Sequence, residues 1–216
     1  MRLPATLRTA ARFAALALVL GAFVPATAPL AAVAQAAPQP KPVPTRWEFR
    51  VDAGPLRTMI VETDEFGPLP FYYFVYEVAN TTDQDRVFAP AFDLATDLGV
   101  VYRSGEGVPA DVPEKIILAL KEPLMQSEID IQGILPQGKE NARQGVVVWP
   151  IRNTQIDEVT VYAAGFSGET VKVVRPDNGE EVVLRKTLML RHAVPGELVV
   201  TSDKPLERTV DQWVMR

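Results

Sequence analysis

The sequence predicts a mainly β protein: an antiparallel β-sandwich with at most one short helix. Three observations lead there. The stretch Phe71–Asn80, FYYFVYEVAN, concentrates aromatic and β-branched residues and ends on the turn Asn80-Thr81-Thr82-Asp83. About ten short apolar segments alternate with turn signals along the chain. The segments Val171–Val174 and Glu181–His192 flank Arg175-Pro176-Asp177-Asn178-Gly179-Glu180, the clearest hairpin signal present. Many short strands with turns between them pack best as two sheets.

The first 36 residues read as a secretory signal peptide. Arg2, Arg8 and Arg12 form a basic start, Phe13–Val24 is apolar, and Ala32-Val33-Ala34 and Ala34-Gln35-Ala36 are small-x-small cleavage sites. An uncleaved anchor is the alternative, but Pro25 and Pro29 interrupt the run before a full span, and no later stretch approaches span length. Residues 37–45 carry four prolines and read as an extended linker. Residues 46–216 are expected to form a single β-sandwich domain. The chain is expected to be exported, to the periplasm or the outside, and the Ala-rich leader and absence of Cys favour a bacterial source.

Within the domain, Arg46–Val51 alternates Trp47, Phe49 and Val51 with charged residues, which predicts a first strand. Gly54-Pro55 is read as a turn, Leu56–Glu62 as a second strand and Asp64–Pro70 as a loop. In the central strand, alternation places Tyr72, Phe74, Tyr76 and Val78 on a core face and Phe71, Tyr73, Val75 and Glu77 on the other. Pro90 makes the return segment a kinked or edge strand. Asp97-Leu98-Gly99 turns the chain into Val100–Tyr102. Ser104–Pro113 is a Gly/Pro-rich loop. Asp111–Lys121 is the helix candidate, with Asp111 as its cap, and a strand at Lys115–Leu120 competes with it. Gln144–Ile151 is a near-continuous apolar run and predicts a strand at a sheet centre. Glu158–Ala163 alternates. In Glu181–His192, Val182, Leu184, Leu188, Leu190 and His192 share a face on which Lys186 intrudes. Leu198–Thr201 and Val210–Met215 are expected as final strands.

The central strand, its N-T-T-D turn, the D-x-G turn and the L-P-Q-G…G-V-V-V-W-P run resemble a loose family of immunoglobulin-like domains found in uncharacterised secreted bacterial proteins. The resemblance covers roughly residues 71–151. It implies an immunoglobulin-like sandwich serving as a binding or interaction module of the cell envelope, and it supplies no catalytic residues.

The chain has no Cys, which removes disulfides, thiolate metal sites and a lipidated cysteine. Without the leader's arginines, 19 basic residues face 27 acidic ones, a net charge of −8, so neither nucleic acid nor anionic lipid is an expected partner. The densest basic cluster, Arg185-Lys186 with Arg191, reads as a solvated strand face.

Candidate sites each have a plainer alternative. His192, the single histidine, cannot build a histidine-rich metal site, and fits a strand end at a sheet rim. Ser167 lies beside glycines but lacks the G-x-S-x-G spacing and following helix of a nucleophile elbow, so it fits a tight turn. Carboxylates gather at Glu62, Asp64 and Glu65, at Asp83 and Asp85, and at Asp93 and Asp97; the last four are weak Ca²⁺ candidates, set against solvated turn acids. Phe71, Tyr73 and Tyr162 are a candidate exposed face for sugar rings or a partner chain, set against packing beneath a second sheet or a loop. No catalytic residue and no cofactor is expected. The leading expectation is a non-enzymatic module that binds or scaffolds another envelope component; a carbohydrate-binding or carbohydrate-active protein is the alternative.

Overall fold

The computed structural model describes residues 37–194, 196–198, 200 and 204–216; the leader expected over residues 1–36 lies outside them. The architecture is built on two long strands, β1 (Arg50–Thr63) and β2 (Gly67–Asn80), paired antiparallel around the turn at residues 64–66. The expected turn at Gly54-Pro55 is instead a β-bulge inside β1, where the register shifts between Ala53 and Leu56. A bulge accommodates proline's missing donor without ending the strand. Gly54 is required there, because a Cβ would stand 2.6 Å from the Val75 carbonyl oxygen. The loop expected at Asp64–Pro70 is likewise shorter. Pro68 and Pro70 pair with Glu62 and Ile60 of β1, in a part of β2 beyond the end of its other neighbour, where prolines are tolerated.

That other neighbour is β8 (Gly138–Pro150), which places β2 second in a four-stranded sheet of order β1-β2-β8-β6, with β6 (Met125–Ser127) parallel to β8. The expected core face is the observed one. Tyr72, Phe74, Tyr76 and Val78 join Val147 and Trp149 in a main core shared with the second sheet. The opposite face is also covered, in a separate cluster, by the helix α1 (Val112–Leu120), which contributes Val112 and Ile116. Both faces of β2 and β8 are therefore apolar, which explains the unbroken run Val146–Trp149.

The helix begins after Asp111, with Pro113 in its first turn, and ends at Lys121 in the left-handed conformation, φ 57°. Asp111 does not cap it through its side chain. Its carboxylate instead accepts from Lys115 Nζ at 2.7 Å and from the Asp64 amide at 3.1 Å, tying α1 to the β1–β2 turn.

The return segment breaks at Pro90 into β3 (Arg86–Phe88) and β4 (Ala91–Thr96), and the break carries the chain between sheets. β3 pairs with β7 (Gly133–Leu135) in a two-stranded ribbon. β4 lies inside the second sheet between β5 (Val101–Arg103) and β9 (Glu158–Ala164). Gly165 packs against this break with φ 91°, and a Cβ there would stand 2.5 Å from the Ala89 carbonyl oxygen. The predicted hairpin is β10 (Thr170–Val174) with β11 (Glu181–Ala193). β11 also pairs with β9 and with β12 (Glu207–Met215), completing six strands.

Two expected strands differ. Of the strand expected over Arg46–Val51, Arg50 and Val51 open β1, while Trp47–Phe49 makes an isolated bridge, through the amide of Phe49 to the Phe166 carbonyl and that of Gly168 to the Trp47 carbonyl. Of Leu198–Thr201, Leu198 and Val200 lie in no strand, and the others fall outside the described residues. Residues 37–216 form one compact unit. The layers run six-stranded sheet, four-stranded sheet, helix, and the antiparallel sheets make it a mainly β sandwich with a single helix among the described residues.

Candidate functional site

A loop, a turn and α1 meet over the outer face of β8. The Gly/Pro-rich loop after β5 is pinned to the sheet by the Gly105 amide, which donates to the Val148 carbonyl at 3.0 Å. The turn after β6 is held by Ser127: its hydroxyl donates to Asp130 Oδ2 at 2.6 Å, and its carbonyl accepts from the Ile131 amide. Between this turn, the loop and the helix lies a cleft of about 620 Å³. Its floor is Val146 and Val148, and Val108 and Ile117 stand on its walls. Glu114, Glu128 and Asp130 line it, with no basic side chain among the described lining residues.

Glu128 is the least exposed of the three acids. Ser104 Oγ donates to its Oε1 at 2.6 Å. Burial raises its carboxyl above the ordinary range, against the opposing pull of that hydrogen bond and of the Arg103 charge. At the mouth, Ile129 is 81% exposed. An apolar floor with a few polar groups at its edge is the usual build of a ligand cleft.

The residues singled out from the sequence lie elsewhere. Phe71 is 1% and Tyr73 6% exposed, both packed in the cluster under α1, while Tyr162 belongs to β9 of the other sheet. Arg216 covers the Tyr162 ring at 4.3 Å. The three therefore do not form one exposed platform, because the helix fills the face that alternation left to solvent. The four Ca²⁺ candidates each have another partner. Asp83 pairs with Arg86, Asp85 accepts from the Gln137 amide, Asp93 pairs with Arg216, and Asp97 accepts from the Asp157 amide. Among the described residues no group of three or more acids or histidines is placed to hold a metal ion.

Ser167 accepts from the Glu169 amide at 3.2 Å and faces the Trp47 carbonyl, a turn hydroxyl satisfied in place. His192 is fully buried between β11 and the Gly54-Pro55 bulge rather than at a rim. Burial and the Arg208 charge push its imidazole down to about 4. Lys186, expected on a solvated face, is 3% exposed. Its Nζ lies 2.7 Å from Glu48 Oε2 and 3.7 Å from Glu169 Oε2, and 5.0 Å from the centre of the Trp213 ring. The lattice of pairings around β11 turns this lysine inward, against the segment of Trp47–Phe49.

The cleft residues Ser104, Glu128 and Ile129 were not among the sequence candidates. The signal was the loop Ser104–Pro113 leading into an amphipathic helix, which announces a covered sheet face but not an opening beside it. No protein-family model matches the chain, and no curated protein or solved structure matches it. No helix among the described residues is long and apolar enough to cross a membrane.

Proposed function

We propose that this chain is an exported, non-catalytic β-sandwich module that binds a protein of the cell envelope, and that the cleft beside α1 is where it binds. The cleft supports this reading: about 620 Å³ with an apolar floor, acids at the edge and an exposed isoleucine at the mouth. The leader-like first 36 residues motivate export, and the resemblance of residues 71–151 to immunoglobulin-like envelope domains points to the same class of protein. Ser167, engaged in its turn, and His192, buried as the neutral imidazole, do not pair as nucleophile and base. The carbohydrate alternative loses its motive with the burial of Phe71 and Tyr73.

A photo-crosslinking residue at position 129, in the full chain and in the cells that make it, is expected to give a discrete protein adduct. The same residue at position 183, on the exposed side of the β10–β11 hairpin, is expected to give none. Equal adducts from both positions, or none from position 129, would contradict the reading.

A further inference from the structure

We infer that the cleft receives a lysine side chain of the partner protein, its ammonium at Glu128 and its methylene stem along Val146, Val148 and Ile117. This rests on the reading of the cleft as a protein-binding site and adds the chemistry of what enters it. Among the described residues, those that line the cleft include Glu114, Glu128 and Asp130 and no Lys, Arg or His, the Arg103 charge acting on Glu128 from outside the lining. Among the described residues Ser104 supplies the one hydrogen bond made to the Glu128 carboxylate, at Oε1. A carboxylate half withdrawn from water and lightly bonded gains most from a cation that brings its own donors. The three acids stand around an apolar floor, so a fully polar cation such as a hydrated metal is poorly matched, in keeping with the absence of a metal-binding cluster among the described residues. A lysine side chain matches both parts at once, with a point charge at the end of four methylenes. The exposed Ile129 at the mouth extends the apolar surface to the residues flanking such a lysine, which a partner polypeptide supplies and a free diamine does not.

The test uses methyl NMR of Val146, Val148, Ile117 and Ile129 in the full chain, titrated with four probes. These are acetyl-Val-Lys-Val-amide, the same peptide with norleucine for lysine, the same with glutamate, and spermidine. The lysine peptide is expected to shift the cleft methyls and to bind at least about tenfold more tightly than the norleucine peptide, a difference of about 1.4 kcal/mol. The glutamate peptide is expected to bind more weakly still. Glu128→Gln is expected to bring the lysine peptide down to the norleucine level, and 0.5 M salt to narrow the gap. Equal binding of lysine and norleucine peptides would overturn the inference while leaving the cleft as a binding site. Spermidine saturating the cleft where the lysine peptide does not would overturn the partner-protein source in favour of a free polyamine. Silence of all four probes would overturn the inference, and the crosslinking at position 129 would then judge the binding reading by itself.

Discussion

Lys186→Met is expected to lower the stability of the domain by about 3–5 kcal/mol, the cost of leaving buried charges without their partner. The lysine Nζ is 2.7 Å from Glu48 Oε2 and 3.7 Å from Glu169 Oε2, with its side chain 4% exposed and those of the glutamates 21% and 9%. Neither Glu48 Oε2 nor Glu169 Oε2 has a hydrogen-bond partner among the described residues, so the ammonium is what balances them. The Glu169 carboxylate accepts, through Oε1, from the Lys41 amide, which also ties the start of the domain to this cluster. Methionine keeps an unbranched side chain and removes the charge. Urea unfolding at pH 7 measures the loss. Adding Glu48→Gln and Glu169→Gln to Lys186→Met is expected to recover most of it, since neutral amides need no counter-ion. A loss under about 1 kcal/mol for the single variant would mean the carboxylates are hydrated in the folded chain and the pair resembles an ordinary surface pair.

Acid is expected to weaken the fold through His192. In the unfolded chain the imidazole takes a proton below its ordinary value of about 6.5, whereas in the fold burial, aided by the Arg208 charge, holds it neutral down to about 4. The carbonyls of Leu190 and Val159 favour the protonated ring but do not offset these effects. Between those values the unfolded state binds the extra proton. Stability is therefore full above pH 6.5, falls as pH drops towards 4, and levels off below, a loss of about 3 kcal/mol. Glu207 and Arg208 border the same cavity. The comparison that isolates the histidine is the parent against His192→Leu, with denaturant midpoints at pH 7, 6, 5 and 4. The leucine variant is expected to lose the part of the slope between pH 6.5 and 5. Parallel slopes would contradict the assignment.

Strand existence was readable where local pattern and tertiary packing agree. Phe71–Asn80, Gln144–Ile151, Glu158–Ala163 and the hairpin around Asp177-Asn178-Gly179 all appear as strands because period, β-branching and turn chemistry point the same way. Gly54-Pro55 misled because the same dipeptide serves a turn or a bulge, and only the pairing of Ala53 with Tyr76 and of Leu56 with Phe74 on either side of it decides between them. Phe71 and Tyr73 of the central strand read as part of a candidate exposed face because alternation counts one sheet's two faces and cannot count a third layer. Once α1 lies over Phe71 and Tyr73, the aromatic face becomes core. Lys186 is the reverse case: its charge argues for solvent, and two glutamates, Glu48 far off in sequence and Glu169 nearer, make burial tolerable. The cleft was the least readable of all. It is the gap left between a helix, a loop and a turn, defined by distances among Val108, Ile117, Glu128 and Val148 that no local pattern encodes.

The central claim is that the cleft beside α1 is the binding site, and its most direct test is to fill the cleft. Val108 stands half-buried on its wall, so Val108→Trp places an indole in the opening without disturbing the core strands. The measurement is the yield of the position-129 photo-adduct in cells making this variant, beside its melting midpoint. The account predicts a melting midpoint within a few degrees of the parent and an adduct reduced at least about tenfold, the change that a loss of about 1.4 kcal/mol in binding brings. An undiminished adduct from a folded, plugged chain would contradict it.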